Sequence, residues 1–200
     1  MPAKQDNEIT VKIKGSMEDF IANIKEKGFK LIEEFKMEDA YFIPKSLKLN
    51  EMTCREILAK AILVRYIENF TENIETKLIT FKRKEIDKSG VILNQEIFDV
   101  KVENLEDAKK FLQAIGYEEI MQIYELDKVY EKEGFSFAIK DIKDGDNLIE
   151  AELSENNEKL NSIDKLKQTL NSYNIPIYTD NYFVKKAEVE LEKELKNRKI

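Results

Sequence analysis

Histidine is absent from the 200-residue sequence, and this absence restricts the chemistry of the chain more than any other feature of its composition. Catalytic triads of the Ser-His-Asp type, Cys-His pairs and zinc sites with histidine ligands are all excluded. Cys54 is the single cysteine, which excludes an internal disulfide and predicts a reducing compartment such as the cytoplasm. Any chemistry must therefore use carboxylates, lysine, arginine, tyrosine or a hard cation held by oxygen ligands.

Long apolar runs and an excess of positive charge are also missing. The longest purely apolar runs are about four residues, such as "AILV" at 61–64, whereas a membrane span needs ~20. The N-terminal stretch "MPAKQDNE" lacks the apolar core of a signal peptide, which argues against secretion. The 33 basic and 40 acidic residues give a formal net charge of -7, which argues against nucleic acid as a partner. We therefore expect a cytoplasmic protein with neither a nucleic-acid nor a membrane partner.

Eight segments show the alternation of polar and apolar residues that predicts β-strands. They span residues 7–14, 38–43, 61–68, 76–84, 93–103, 119–130, 134–141 and 146–153. Most of them carry Ile, Val, Phe or Tyr on one face. A chain of this length fits one domain and can bury a sizeable core.

Two helices have clear start and stop signals. The first is predicted to begin after Ser16, with Asp19 three residues later, and to stop at Gly28. The second is predicted to begin after Asn104 and to stop at Gly116. Three more helices are predicted at 53–60 and at about 158–173 and 181–198.

The two capped helices and their preceding strands repeat at an offset of 88 positions, which matches Ser16 with Asn104 and Glu8 with Glu96. This spacing predicts a duplicated unit of one strand, one helix and three more strands. Coincidence is the alternative, because caps and glycine stops are common. The predicted single domain covers residues 1–200, with halves at about 7–84 and 93–153 followed by C-terminal helices at 158–198.

Two such four-stranded halves can meet across a pseudo-twofold axis. Eight mainly antiparallel strands can close into a barrel with a lumen for one small ligand. Closure also removes exposed strand edges. The predicted fold is therefore an α+β domain, built as an eight-stranded antiparallel closed β-barrel, or tunnel, with helices packed outside it.

Glu150 and Glu152 lie two positions apart on a predicted strand, so both side chains point to the same face. Adjacent carboxylates repel each other unless water or a cation separates them, and they form a natural pair of oxygen ligands for Mg²⁺ or Mn²⁺. Asp141, on the neighbouring predicted strand, could add a third carboxylate. A strand with one face in solvent shows the same pattern, so the spacing alone leaves both interpretations open.

Basic residues lie on three other predicted strands. They are Lys12 and Lys14 on the first strand, Arg65 on the third, and Lys82 and Lys84 on the fourth. If these faces turn inward, carboxylates and ammonium groups would share a lumen, where buried charges are costly unless paired. A metal-bound polyphosphate would satisfy both sets together. A single lysine is usually a solvated surface residue, so this prediction depends on their joint placement.

Taken in order along nearly the whole chain, these motifs resemble the CYTH domain family, also called triphosphate tunnel metalloenzymes. "EITVKIK" stands where the family has a Glu-x-Glu-x-Lys strand, and "LITFKR" is similar to its Leu-Thr-Tyr-Lys strand. "KDIKDGDNLIEAEL" resembles the closing Asp-Val…Gly-Asp-Phe-x-Glu-x-Glu motif, which is the most specific match. The family includes class IV adenylate cyclases, thiamine triphosphatases and inorganic tripolyphosphatases, and its fold is an eight-stranded closed tunnel.

The resemblance implies roles for the matching positions. The implied ligands of Mg²⁺ or Mn²⁺ are Glu8, Glu96, Glu150 and Glu152. The implied substrate-binding residues are Lys12, Lys14, Arg65, Lys82 and Lys84. The implied catalytic residues are Lys12, which would stabilise charge on the leaving phosphate, and Asp141, which would join the metal shell or orient water. The implied substrate is ATP, thiamine triphosphate or tripolyphosphate, and the oligomeric state stays open, a homodimer included.

The chain also departs from the family pattern. Thr10 stands where the family has its second Glu, and no Lys or Arg occurs between Ile120 and Asp127, where the family has a basic cluster. Each charge-assisted hydrogen bond contributes roughly 1.5–3 kcal/mol, so losing several would weaken binding by orders of magnitude. The sequence predicts metal-dependent binding and hydrolysis of a triphosphate. The alternatives are cyclase activity on ATP, a non-catalytic nucleotide- or polyphosphate-binding module with an eroded site, and an interaction protein.

Overall fold

The structure, a computed structural model, describes residues 8–86, 92–154 and 157–198, with side chains next to the first gap described up to Arg83 and from Glu96. All eight predicted strands are present in the described residues. They are β1 (Glu8–Lys12), β2 (Lys30–Pro44), β3 (Ile62–Asn69), β4 (Ile74–Ile86), β5 (Ile92–Lys101), β6 (Tyr117–Lys132), β7 (Phe135–Ile142) and β8 (Leu148–Glu152). The helices are α1 (Met17–Glu26), α2 (Cys54–Leu58), α3 (Leu105–Ala114), α4 (Ile163–Ser172) and α5 (Lys186–Asn197). None of the helices described here is long and apolar enough to cross a membrane.

Local signals explain where the helices begin. The Ser16 side chain accepts a hydrogen bond from the backbone N–H of Asp19, and Asn104 caps α3 in the same way. Thr53 and Glu56 form a capping box at the start of α2. The side chains at these positions accept hydrogen bonds from backbone N–H groups that have no partner inside the helix, so the sequence defines these helix starts directly.

The eight strands form one antiparallel sheet with the order β1-β8-β7-β6-β2-β3-β4-β5. The order is symmetric with respect to the two predicted halves. If each strand of β1–β4 is exchanged with its counterpart in β5–β8, the same order is obtained from the opposite edge, with β2 and β6 paired at the centre. β2 begins at Lys30, earlier than the predicted start at 38, because it pairs with β6 from Lys30/Glu131 to Pro44/Tyr117. The tertiary pairing therefore extends the strand into a stretch without clear alternation.

The predicted closure of the barrel is not confirmed, because no ladder of backbone hydrogen bonds joins β1 to β5 in the described residues. The segment between α4 and α5 covers the free edge of β1 instead. The N–H of Thr10 donates to the carbonyl of Tyr182 at 2.9 Å, and the N–H of Val184 donates to the carbonyl of Thr10 at 3.0 Å. The N–H of Tyr178 donates to the carbonyl of Lys12 at 2.9 Å. This segment thus satisfies backbone groups that a neighbouring strand would otherwise satisfy.

The sheet is strongly curved. Five strands separate β1 from β4 in the sheet order, yet Glu8 of β1 and Lys82 of β4 are close enough for each charge to shift the pKa of the other. We call the side that carries these two residues the concave face and the opposite side the convex face. Side chains alternate between the two faces along every strand.

Helices α1, α3 and α4 pack on the convex face, as predicted. Phe20 of α1 and Leu166 of α4 are fully buried in one cluster with Val11 of β1. Leu112 of α3 packs with Phe42 of β2 in a second cluster. Burial of large side chains of this kind contributes about 1.5–3 kcal/mol each, so these clusters hold the helices against the sheet.

Helices α2 and α5 depart from the prediction that all helices lie outside the tunnel. Ile57 of α2 and Leu191 of α5 are fully buried in one cluster with Tyr41, Leu63 and Leu148. These three strand residues belong to the concave face, because they alternate with the residues that face α1, α3 and α4. The apolar stripes of α2 and α5 therefore fill part of the concave face.

Candidate functional site

Three carboxylates meet on the concave face where β1 pairs with β8. The antiparallel register places Glu8 opposite Glu152 and Thr10 opposite Glu150, so Glu8, Glu150 and Glu152 share this face. One carboxylate oxygen from each residue lies within 4.8 Å of the other two. Glu8 and Glu150 are half-buried, and Glu152 is exposed. We call these three residues the carboxylate cluster.

The electrostatics of the carboxylate cluster favour a bound cation. Burial raises the pKa of Glu8 above its ordinary value, and the negative charge of Glu150 adds to this rise. A raised pKa means that the charged form is destabilised, and a divalent cation between the oxygens would relieve that cost. The donor set consists only of carboxylate oxygens, which fits Mg²⁺ or Mn²⁺ rather than softer metals.

Arg65 lies on the concave face in a tight ion pair. Its Nε and one Nη donate to the two carboxylate oxygens of Asp39 at 2.6 and 2.7 Å. The Asp39 side chain is only 2% exposed, so the pair is well shielded from water. Paired, planar hydrogen bonds of this type are strong and fix the orientation of the guanidinium. Two of the guanidinium nitrogens of Arg65 are therefore already engaged by Asp39, and an anion could bind only to the remaining donors.

Lys82 is the cation on the concave face best placed to take an anion. It is half-buried, and it makes neither a hydrogen bond nor an ion pair with the residues that the structure describes. Burial lowers the pKa of Lys82, and the positive charge of Arg65 lowers it further. A buried ammonium without a partner is costly, and an anion bound beside it would remove that cost.

The sequence interpretation missed a buried charge network next to the carboxylate cluster. Lys140 Nζ lies 2.9 Å from Asp127 Oδ2 and 3.4 Å from Glu150 Oε1. Lys186 of α5 donates to both carboxylate oxygens of Glu125 at 2.7 Å. Cations from β7 and α5 therefore balance carboxylates in the part of β6 where the resemblance implied basic residues.

Alternation within "FSFAIKD" could have identified Lys140. Phe135, Phe137 and Ile139 are buried on the convex face, so Lys140 must point to the concave face. The pairing of β7 with β8 places Lys140 beside Leu148 and Ala138 beside Glu150. Lys186 had no such signal, because its role depends on α5 lying on the concave side.

Asp127 is fully buried, and one of its carboxylate oxygens has no hydrogen-bond partner. Burial raises the pKa of Asp127 to about 6, although the charge of Lys140 opposes this rise. An aspartate in an unfolded chain has a pKa of ~3.9, so the native state binds this proton more tightly. The stabilisation from that proton is present below about pH 4 and is lost as the pH rises through about 6.

Replacing Asp127 with asparagine should therefore change how stability depends on pH. We expect the free energy of unfolding of Asp127→Asn, minus that of the unmodified protein, to increase between about pH 4 and about pH 7. The variant therefore becomes more stable relative to the unmodified protein as the pH rises. Urea denaturation at both pH values measures this difference. Asp141→Asn is the control, because Asp141 is exposed on the convex face. A difference for Asp127→Asn that stays constant with pH would contradict the assignment.

The structure separates two predicted site residues from the carboxylate cluster. Asp141 lies between Lys140 and Ile142, which both face the concave side, so its exposed side chain points to the convex side. Glu96 forms an ion pair with Arg83 on the convex face, opposite to the face that carries Lys82. Neither carboxylate can join Glu8 in holding a metal.

The remaining predicted lysines lie near the ends of their strands. Lys12 Nζ is 2.5 Å from Asp146 Oδ2, and both side chains are partly exposed. Lys14 is exposed just beyond β1, where its Nζ lies 5.3 Å from the centre of the Tyr178 ring. The side chain of Lys84 lies outside the described residues. Of the five predicted substrate-binding residues, Arg65 and Lys82 are therefore central to the concave face, and Lys12 marks its end.

Comparison with known proteins gives one sequence relative and several similar folds. No protein-family model matches the chain. A protein of Methanocaldococcus jannaschii that carries the name putative adenylate cyclase is 27% identical over 189 residues, which cover 92% of this chain and 98% of the relative. The match therefore spans most of both chains.

Two solved structures illustrate the shared fold. PH1819 from Pyrococcus horikoshii superposes with a TM-score of 0.63 at 15% identity, covering 93% of this chain and 98% of that one. A Hippeastrum protein, described as a putative adenylyl cyclase with a dominant triphosphatase activity, superposes with a TM-score of 0.59 at 12% identity, covering 93% of this chain and 94% of that one. At these identities the likeness concerns the fold alone.

Proposed function

Because the chain is a CYTH-like protein, we propose that it is an enzyme that binds a triphosphate with Mg²⁺ or Mn²⁺ on its concave face and hydrolyses the terminal phosphate. The observation that carries this proposal is the convergence of Glu8, Glu150 and Glu152, whose oxygens lie within 4.8 Å of one another. The triphosphatase activity in the description of the Hippeastrum protein favours hydrolysis. All three carboxylates come from one chain, so the proposed site needs no second copy.

The balance of charge on the concave face supports a role for a divalent cation. Arg65, Lys140 and Lys186 are each already paired with a carboxylate, and the carboxylate cluster adds further negative charge. A free triphosphate would therefore meet more negative groups than positive ones. A divalent cation held by the carboxylate cluster would offset this excess of negative charge at the place where the phosphates must lie.

Each charged residue would have a distinct role in the reaction. Glu8, Glu150 and Glu152 would hold the cation, which supplies charge neutralisation to the phosphate oxygens when bound. Lys82 would donate a hydrogen bond to a phosphate oxygen from the opposite side of the curved sheet. Lys140 would keep Glu150 in place, because its Nζ lies 3.4 Å from Glu150 and 2.9 Å from Asp127. Held in this way, the phosphates need little further ordering before attack.

Cyclisation of ATP is the second candidate, favoured by the name of the Methanocaldococcus jannaschii relative. The two reactions differ in the attacking group, which is water in a hydrolase and a ribose hydroxyl in a cyclase. Incubating the protein with Mn²⁺ and ATP separates them, since hydrolysis of the terminal phosphate releases inorganic phosphate and cyclisation releases pyrophosphate. Metal-dependent binding without either product would instead indicate a binding module, and the absence of binding would contradict the proposal.

Replacing Lys82 with methionine should weaken triphosphate binding. A charge-assisted hydrogen bond contributes roughly 1.5–3 kcal/mol, so we expect the Kd for tripolyphosphate in the presence of Mn²⁺ to rise about tenfold or more. Isothermal titration calorimetry measures this change. Lys110→Met on the exposed side of α3 is the matched control and should leave the Kd unaltered. Equal affinities of Lys82→Met and the control would show that Lys82 does not contact the phosphates.

A further inference from the structure

The free edge of β5 differs from the free edge of β1. β5 is the last strand in the sheet order, and within the described residues no strand pairs with its outer side. Residues 178–184 cover the edge of β1, but in the same part of the chain no backbone hydrogen bond joins them to β5. Natural proteins usually protect such an edge with proline, a bulge or a very short strand. β5 has ten residues, and its pairing with β4 is regular from Glu96 to Lys101, without proline or glycine.

Apolar side chains are exposed on both faces of β5. Ile97 on the concave face is 54% exposed, and Phe98 and Val100 on the convex face are 47% and 58% exposed. Phe98 lies beside Phe81 and Val100 lies beside Ile79, so both residues extend an apolar row of β4 on the convex face. Exposed apolar side chains next to unpaired backbone groups mark a surface for association.

The ladder between β4 and β5 shows which backbone groups of β5 point outward. The N–H of Val102 donates to the carbonyl of Lys77 at 3.0 Å, so these two residues form a hydrogen-bonded pair. Hydrogen-bonded pairs alternate along an antiparallel ladder, so the even-numbered residues from 98 to 102 direct their backbone groups toward β4. The N–H and C=O groups of the odd-numbered residues from 97 to 101 therefore point to the free edge.

β5 is complementary to a second copy of itself when the two strands run antiparallel with Val100 on the twofold axis. Asp99 of each copy then lies opposite Lys101 of the other, in a hydrogen-bonded pair with opposite charges. On the convex face Val100 meets its own counterpart, and Phe98 of each copy meets Val102 of the other. The two strands thus form an unbroken apolar row on one face and two ion pairs on the other.

The neighbouring registers are less favourable. With Asp99 or Lys101 on the axis, two like charges would lie opposite each other, which is destabilising. With Phe98 on the axis, Val100 would lie opposite Glu96, and the ion pairs would be lost. In the register centred on Val100, the unlike pair is Ile97 with Glu103, which lies beyond the end of β5. The pattern of charged and apolar residues therefore favours that register.

We infer that the protein forms a homodimer in which the β5 strands of two copies pair antiparallel about Val100 and join the two sheets. The pattern favours a second copy over an unrelated strand, because the same residues supply both partners of each ion pair and of the apolar row. Pairing satisfies the outward backbone groups of β5 and covers its exposed apolar side chains. The interface uses no residue of the carboxylate cluster, so the inference does not depend on the proposed function.

The first test is the mass of the unmodified full chain in solution, measured by sedimentation over a wide range of concentrations. We expect a dimer. Val100→Lys places two ammonium groups at the axis and should raise the Kd of the dimer by about tenfold or more. Ile32→Lys is the matched control and should leave this Kd unaltered, because Ile32 is 49% exposed on β2, which lies two strands away from β4 and β5 at the centre of the sheet order. Circular dichroism shows whether both variants are folded.

Cysteine cross-linking tests the register. In a Cys54→Ser background, Val100→Cys places two thiols at the axis, in a pair whose Cα atoms are about 4.5 Å apart. This separation is within the range for a disulfide, ~4.4–6.8 Å, so mild oxidation should give a covalent dimer. Phe98→Cys in the same background should not be cross-linked, because residue 98 of one copy lies opposite residue 102 of the other.

Each outcome supports or overturns the inference. A monomer at every concentration would overturn it and leave the edge of β5 to a strand of a different protein. A dimer that Val100→Lys leaves intact would also overturn it, because another surface would then join the copies. Cross-linking of Phe98→Cys instead of Val100→Cys would show that the strands do not pair about Val100. None of these measurements uses phosphate release, so the proposed function stands or fails separately.

Discussion

Replacing Glu150 and Glu152 together with glutamine should lower kcat/KM for Mn²⁺-dependent phosphate release by about a hundredfold or more. The double variant leaves Glu8 as the single carboxylate of the cluster, and metal-derived charge stabilisation is worth several kcal/mol in reactions of this type. Glutamine has nearly the same size as glutamate, so the substitutions remove the charge of the metal ligands without changing the packing around them. Steady-state assays with ATP and with tripolyphosphate measure the effect.

A matched control distinguishes this effect from a general loss of acidic charge. Asp141→Asn removes a carboxylate from β7 on the exposed convex face and should retain full activity. Thermal melting without metal should show that Glu150→Gln with Glu152→Gln remains folded, since Lys140 keeps its shorter ion pair with Asp127, at 2.9 Å. Full activity of this double variant would contradict the assignment of the carboxylate cluster.

Replacing Lys140 with methionine should have the largest effect on stability. Lys140 is only 6% exposed, and its Nζ lies 2.9 Å from the fully buried Asp127 and 3.4 Å from Glu150. Removing one partner of a buried ion pair leaves an uncompensated charge and typically costs about 3–5 kcal/mol. Urea denaturation at neutral pH measures this loss. The loss should be smaller near pH 4, where Asp127, with its pKa raised to about 6, is protonated.

Two further variants test the physical cause of that loss. Lys110→Met removes an exposed lysine from α3 and should change the free energy of unfolding by less than about 0.5 kcal/mol. Combining Lys140→Met with Asp127→Leu removes the orphaned charge and should recover most of the stability. If Lys140→Met and Lys110→Met have the same effect, the buried network does not stabilise the fold as described.

The features that the sequence predicts correctly depend on local signals. Ser16 and Asn104 cap two helices because each side chain reaches a backbone N–H two or three residues later, whatever the rest of the chain does. Alternation with period two defines the strands in the same way. Glu150 and Glu152 could be assigned to one face for this reason, and the pairing of β1 with β8 then brought Glu8 to them.

The features that the sequence predicts incorrectly or does not reveal depend on register and tertiary packing. The offset of 88 positions matches Glu96 with Glu8, but the register of β5 turns Glu96 to the convex face beside Arg83. A difference of one residue in a strand exchanges its two faces, so a repeat in sequence does not guarantee equivalent side-chain directions. The same rule separates Asp141 from Lys140 on β7.

The C-terminal part of the chain shows a second limit. Its amphipathic pattern predicts a helix, but the pattern does not say which apolar surface that helix covers. In the structure Leu191 packs on the concave face and Lys186 reaches Glu125, while residues 178–184 pair with the edge of β1. These contacts join segments that are distant in sequence, so only the folded chain shows that α5 contributes a cation to the concave face.

The most direct test of the proposed site is the anomalous difference map of a crystal grown with MnCl₂ and tripolyphosphate. We expect a manganese peak between the carboxylates of Glu8, Glu150 and Glu152, with phosphate density extending from it toward Lys82. The same crystal of the Glu150→Gln and Glu152→Gln double variant should lack this peak. A manganese peak elsewhere, or none in the unmodified protein, would show that the carboxylate cluster does not hold the metal of a triphosphate site.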